Sequence, residues 1–193
     1  MYSHSAEHMD SLETYGVIGL WGVLTEEAAA NIAESIVRIN RKRCHDCIQM
    51  IISSPGGSLM GAFGIVDLID WSKLPVFTTG LGLVASAALT IFSSGASGHR
   101  VLLPNTSVLS HRFSTTISGN HAQILADRKH QDILHDRLVR HVIAHSKLKT
   151  CEQVEALVLR EVDTWLTAEE AVEMGFADEV YGTAGQKGEL HDE

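Results

Sequence analysis

Gly80-Leu81-Gly82-Leu83-Val84-Ala85-Ser86-Ala87-Ala88-Leu89 sits inside the longest uncharged run of the chain, Leu74 to Gly98. Length alone would suggest a membrane span, but Pro75, Gly80, Gly82, Gly95 and many Ser and Thr residues break the run. It reads as a buried strand, a glycine turn and an apolar helix, with no membrane crossing. Ser86 then stands at the mouth of the helix. Helix mouths carry spare backbone N–H groups and a positive dipole end, which suits an oxyanion. Serine is also an ordinary helix cap, so the placement alone decides nothing.

Outward from this stretch the chain repeats one pattern. Val17–Trp21 is a short apolar strand, and Thr25 with Glu26 and Glu27 marks a helix start that ends in the basic cluster 40–43. A strand over 48–53 runs into Ser54-Pro55-Gly56-Gly57-Ser58, and a helix bearing Met60, Phe63, Ile65, Leu68 and Ile69 stops near Pro75. A third strand, 75–79, leads into the glycine turn and the helix from Ser86 to about Ser94. Strand-helix alternation of this kind builds an α/β protein with a parallel sheet. Two short strands, 101–103 and 108–110, follow, with His111 at the end of the second. A helix over about 120–145 would measure about 39 Å, long for a domain of this size, so part of it is expected to project and pack on another subunit. Capping-box patterns at Thr150 and Thr167 start two short helices, Gly175 ends the second, and a last strand lies near 178–181. The expected organisation is a flexible segment 1–16, a single domain 17–182 and a polar tail 183–193.

Composition narrows the function classes. The 193 residues carry a net charge of −9 with 45% hydrophobic and 20% charged residues, which argues against nucleic-acid binding and for a soluble globular protein. Met1 to Thr14 has three acids and no apolar core, unlike a signal peptide. Three cysteines fit a reducing, cytoplasmic setting. Cys44 and Cys47 have C-x-x-C spacing, but no second pair completes a zinc site, and a polar turn with free thiols is the simpler reading. His141 and His145 have the four-residue spacing of a metal pair, without the H-E-x-x-H pattern. They and His121, His130 and His135 are expected on a solvated or intersubunit helix face. The Gly56-Gly57 turn lacks the G-x-x-x-x-G-K-[ST] and G-x-G-x-x-G patterns of nucleotide cradles. No cofactor or metal is expected.

Acyl transfer by serine needs a nucleophile, a base, a group orienting the base and N–H donors for the oxyanion. Strand and helix ends supply one candidate for each: Ser86, His111, Asp163, and the N–H groups of Gly57 and Ala87. Spacing leaves His111 open to a plain structural role, since the chain has eleven histidines.

Ser54-Pro55-Gly56-Gly57, Ala85-Ser86, Leu103-Pro104-Asn105, Ser110-His111 and the block Asp163 to Gly175 resemble the signature blocks of the Clp protease proteolytic subunit (ClpP) family, in the family's order. The resemblance covers about Val17 to Val180. It implies a serine endopeptidase with Ser86 as nucleophile, His111 as base, Asp163 as third member, and Gly57 and Ala87 as oxyanion donors. It implies a ClpP/crotonase-type spiral core of repeated β-β-α units with a projecting handle helix near 120–145. It implies a homo-oligomer of seven-membered rings, two stacked around a chamber, taking unfolded polypeptide from an AAA+ unfoldase. Gly57, Ser58, Arg112 and Phe113 match the segments that bind substrate.

The chain departs from the family pattern at Ala87-Ala88, where Met-Gly is usual, at Arg112-Phe113, where Gln-Pro is usual, and at Val162, where an arginine is usual. Two other readings remain: a non-catalytic or partner-activated ring subunit, and a crotonase-type acyl-CoA enzyme.

Overall fold

A computed structural model describes residues 11–182. The expected polar tail 183–193 and most of the expected N-terminal segment lie outside these residues. Within them, Leu12–Tyr15 forms a 3-10 turn. Glu13 accepts a hydrogen bond from the Ser35 hydroxyl and pairs with Arg38 at 3.2 Å. Glu13 thereby ties this turn to the helix that carries Ser35 and Arg38.

Five strands form a parallel sheet in the order β1-β2-β3-β4-β7. They are β1 (Val17–Trp21), β2 (Ile48–Ser54), β3 (Val76–Ala85), β4 (Arg100–Leu102) and β7 (Glu179–Val180). On β2 the alternate residues Ile48, Met50 and Ile52 are fully buried. Helices α1 (Glu26–Lys42), α2 (Leu59–Trp71) and α3 (Ala87–Ser93) follow β1, β2 and β3 in turn. Thr25 and Ser58 cap the first two, accepting from Ala28 and Gly61 N–H at 3.1 and 2.9 Å. All seven residues of α3 are buried, and its Phe92 is wholly inside the core.

β3 is twice as long as the strand expected over 75–79. The glycines do not end it; they bend it. Ile52 of β2 pairs with Gly80, yet Ser54 pairs with Val84, so β3 holds extra residues in a bulge. Gly82 sits there at φ 67°, and a side chain on Gly80 would meet Leu102 at 2.6 Å and Val84 at 2.8 Å. The bulge splits the sheet. Before it, Thr78–Gly80 pairs with β4; after it, Leu83–Ala85 pairs with β5 (Ser107–Ser110). β5 in turn pairs antiparallel with β6 (Thr164–Leu166), a strand that its three-residue length hid in the sequence.

α4 (His121–Ala144) is 24 residues long and starts in a capping box at Asn120. Its first half is exposed, including Ile124 and Leu125, while Leu134, Leu138 and Val142 pack on the core. α5 (Cys151–Leu157) and α6 (Ala168–Met174) begin in the two expected capping boxes, and Gly175 ends α6 at φ 84°. The described residues form one α/β domain with a mixed sheet and six α-helices. No helix of the described residues is long and apolar enough to cross a membrane.

Candidate active site

The branch of the sheet beyond the bulge carries three chain ends that meet. β3 delivers Ser86 one residue past its last strand position, and the Ser86 N–H donates to the Leu109 carbonyl at 2.9 Å. β5, parallel to it, delivers His111 one residue past its own end. β6 runs antiparallel with Ser110 opposite Thr164, so the register sets Asp163 opposite His111. Residues far apart in sequence are neighbours because two parallel strands end together and a third begins beside them.

Ser86 is not an ordinary cap. It occupies the N-cap position of α3 at φ 55° and ψ −125°, and its hydroxyl makes no capping bond. Its Oγ instead lies 2.7 Å from His111 Nε2. A non-glycine residue held at such angles costs on the order of 1–3 kcal/mol and persists only where its surroundings impose it. Here the imposing element is the Gly56-Gly57 turn. Gly56 has φ 86°, and a Cβ on it would sit 2.6 Å from the Ala85 carbonyl, 2.8 Å from the Ala87 nitrogen and 2.9 Å from Ser86 Cβ. Only glycine lets the turn close against the strand-to-helix elbow.

The same turn is pinned on its other side. Leu24 donates its N–H to the Gly56 carbonyl and accepts from the Ser58 N–H, both at 2.8 Å. These two bonds make Leu24 and Gly57 a parallel bridge pair in which the Gly57 N–H is not used by Leu24. Gly57 has φ 149°, and a Cβ there would collide with the Leu24 carbonyl at 2.3 Å. The N–H of Ala87 is a first-turn donor of α3 with no intrahelical acceptor. Gly57, Ser86, Ala87 and His111 line one cleft.

Asp163 stands less close. Its Oδ1 is 3.8 Å from His111 Nδ1, beyond hydrogen-bond length, and its side chain is 57% exposed. Of the substrate-contact residues expected from the sequence, Phe113 lines the cleft beside Gly57. Ser58 and Arg112 do not. The Ser58 hydroxyl caps α2 and donates to Glu26. The Arg112 side chain turns away to the Leu159 carbonyl at 3.3 Å and to Glu155 at 3.9 Å, an anion that His135 also holds at 2.9 Å. Arg112 therefore ties the irregular segment after the base to α4 and α5.

The cleft continues inward as a pocket that sequence reasoning missed. Its walls are Leu59, Leu89, Leu138, Val142, Leu159 and Phe176, and its polar atoms come from Thr90, Ser93 and His141. The one sequence signal was the spacing of Thr90 and Ser93, four and seven residues after Ser86, on an otherwise apolar helix face. His141, expected on a solvated or intersubunit helix face, is instead buried within the subunit. It is 8% exposed, and its Nε2 lies 3.0 Å from Ser93 Oγ. Burial, together with the neighbouring His145 ring at 4.3 Å, lowers its pKa to about 3, so the ring is neutral. Cys44, Cys47 and Cys151 are free thiols, and among the described residues no three His, Cys, Asp or Glu side chains come together in a cation-binding group.

Comparison with known proteins fits this geometry. The Clp protease family model matches residues 2–184. The chain is 32% identical over 172 residues to the ATP-dependent Clp protease proteolytic subunit 2 of Rhodococcus jostii (strain RHA1), covering 89% of this chain and 87% of the relative. It is 30% identical over 188 residues to proteolytic subunit 1 of Corynebacterium jeikeium (strain K411), covering 95% and 98%. Against proteolytic subunit 1 of Frankia casuarinae it is 34% identical over 166 residues, 86% of this chain and 76% of the relative. A strand-end serine bonded to a histidine beside a glycine turn, within a match that spans nearly the whole sequence, places this chain in the Clp protease family, as a serine endopeptidase of the Clp type.

Proposed function

We propose that this chain cleaves peptide bonds of unfolded polypeptides by acyl transfer to Ser86. The observation that carries the reading is the 2.7 Å contact between Ser86 Oγ and His111 Nε2 at a positive-φ elbow, with the N–H groups of Gly57 and Ala87 beside it. His111 takes the Ser86 proton as Oγ attacks the carbonyl carbon, and the two N–H groups receive the oxyanion. The proton then passes from His111 to the leaving amine, and water, activated by the same imidazole, releases the acyl group from Ser86. Asp163 holds the imidazolium in place, which requires it to close from 3.8 Å by about 1 Å; catalytic hydrogen bonds are often long before substrate binds and tighten in the complex. The peptide lies extended between the Gly57 turn and the segment from Phe113.

The setting of this chemistry is an oligomer, in the reading offered here a seven-membered ring, two stacked, with the exposed first half of α4 packing ring on ring. Enclosure of the sites restricts a peptidase of broad specificity to chains threaded in by an AAA+ unfoldase, and the cytoplasm supplies the nucleotide that the unfoldase needs. The peptidase unit is residues 17–182. The open Asp163 contact favours one variant of this reading, a subunit whose third member engages only on assembly or on partner binding.

Modification of the intact protein by a fluorophosphonate, located by mass spectrometry, tests the nucleophile directly. Ser86→Ala should abolish labelling and peptide hydrolysis while leaving particle mass unchanged. Peptide cleavage persisting in pure Ser86→Ala protein would remove the assignment, and acyl-CoA turnover without peptide hydrolysis would move it to the crotonase chemistry.

A further inference from the structure

The connection between α1 and β2 holds a pair of thiols that the chemistry at Ser86 does not use. Cys44 and Cys47 are free, the first exposed and the second half-buried, with only His45 and Asp46 between them. Both ends of the connection are fixed. Arg43, at φ 50° in the left-handed region, closes α1 by donating its N–H to the Ile39 carbonyl at 3.3 Å. On the other side the Ile48 N–H donates to the Pro75 carbonyl and the Gln49 N–H to the Gly16 carbonyl, both at 2.9 Å. Between these anchors the chain bends at Asp46. Among the described residues, the N–H groups of residues 44–47 make no backbone hydrogen bond. The His45 ring packs so close to Gly16 that a Cβ there would sit 3.0 Å from it, and its buried Nε2 has no hydrogen-bond partner. The four residues are thus free to rearrange without breaking a backbone hydrogen bond.

We infer that Cys44 and Cys47 are a redox modification site, a dithiol that a small disulfide of the glutathione type closes reversibly into a Cys44–Cys47 bridge. A bridge needs the two Cα atoms about 4.4–6.8 Å apart. Residues three apart meet that limit in a four-residue turn, whose ends lie within about 7 Å, and the bend at Asp46 is already part of such a turn. Exposed Cys44 attacks first: its thiolate takes one sulfur of the oxidant and releases one glutathione thiolate. The Cys47 thiolate then attacks the Cys44 sulfur of the mixed disulfide and releases the second. Two electrons pass from the protein thiols to the oxidant, and the two thiol protons end on the two glutathiones. Arg41, Lys42 and Arg43 stand exposed just before Cys44 and attract an oxidant that carries carboxylates. A second thiol three residues away acts at an effective concentration of roughly millimolar or more, so ring closure outruns a second glutathione. Cys151, at the start of α5, has no second thiol in its own segment and stops at the mixed disulfide. An exposed bridge in so short a loop stays easy to reduce, which fits a transient modification rather than a structural bond. The site lies at the start of β2, about 20 Å along the strand from the end that leads into the Gly56-Gly57 turn. The inference therefore stands apart from the peptidase reading.

The test treats the folded, full-length protein with excess glutathione disulfide, blocks the remaining thiols with N-ethylmaleimide in denaturant, and reads tryptic peptides by mass. Trypsin cuts after Arg43 and Lys73, so both cysteines fall in one peptide, residues 44–73. In reduced protein this peptide carries two maleimide labels. After oxidation it should appear two hydrogens lighter, with neither label nor glutathione, and exceed its glutathione adducts by at least about 10-fold. Dithiothreitol should restore both labels. Cys44→Ser and Cys47→Ser should each abolish the bridge and leave a glutathione adduct on the remaining thiol, and Cys151→Ser should keep the bridge. A wild-type peptide that retains both labels, that carries glutathione in place of the bridge, or that is joined to Cys151 or to a second copy would overturn the inference.

Discussion

His141→Leu should make the protein more tolerant of acid. In the folded chain the His141 ring is buried against Ser93, Phe63 and His145, and its pKa falls from 6.5 to about 3 through desolvation and then the His145 charge. The unfolded chain binds a proton there as pH drops through 6.5, and the folded chain does not until about 3. Stability associated with this residue is therefore complete above 6.5 and declines as pH falls toward 3. At about 1.36 kcal/mol per pH unit, roughly 2 kcal/mol is lost between pH 6.5 and pH 5. For a chain of this size that is about 4–8 °C in Tm. Leucine is close in size, and the Ser93 hydroxyl keeps the Thr90 carbonyl as acceptor, so the variant orphans no donor. His145, also lowered by burial, remains in both proteins and its contribution largely cancels in the comparison. Thermal melts of both proteins at pH 7.5 and pH 5, at matched concentration because assembly shifts Tm, give the double difference. Equal acid-induced losses in wild type and His141→Leu would refute the account of a neutral buried imidazole.

Three further outcomes are expected. Gly56→Ala places a methyl against the backbone of the Ser86 elbow at a φ that L-residues avoid; fluorophosphonate labelling should fall at least about 100-fold, with the far-UV circular dichroism retained. His111→Ala should reduce peptide hydrolysis by about a thousandfold or more, and Asp163→Ala by roughly a hundredfold or less, because Asp163 is exposed and 3.8 Å away; equal losses would show that Asp163 engages fully in the working particle. Arg100→Ala breaks a mostly buried two-point contact with Asp178, at 2.6 and 3.0 Å, that joins β4 to the turn before β7. It should cost about 3 kcal/mol, read as a drop in the urea midpoint, and a loss below 0.5 kcal/mol would show that water takes over the contact.

Elements set by local signals were legible in the chain itself. Thr25, Thr150 and Thr167 cap helices where their hydroxyls can meet N–H groups two or three residues on, and the uncharged run around Ser86 buries as expected because nothing in it resists desolvation. Ser86 and His111 could be proposed because each stands at the end of an element that short-range chemistry marks, whereas Asp163 was proposed from the family-like block that begins with it. What the sequence could not convey depends on partners distant in the chain. β3 runs past its glycines to Ala85 because β2 and β5 supply its hydrogen bonds. Thr164–Leu166 becomes a strand only beside β5, and His141 is buried rather than solvated because α3 packs across it. By itself, then, the sequence determined the order of elements, their caps and the candidate nucleophile with its base. The tertiary structure alone decided that Ser86 is an elbow held open by Gly56 rather than a helix cap, and that the pocket beyond it ends in a hydroxyl. Backbone angles at one residue and the far wall of a cavity are set by contacts that only folding brings together.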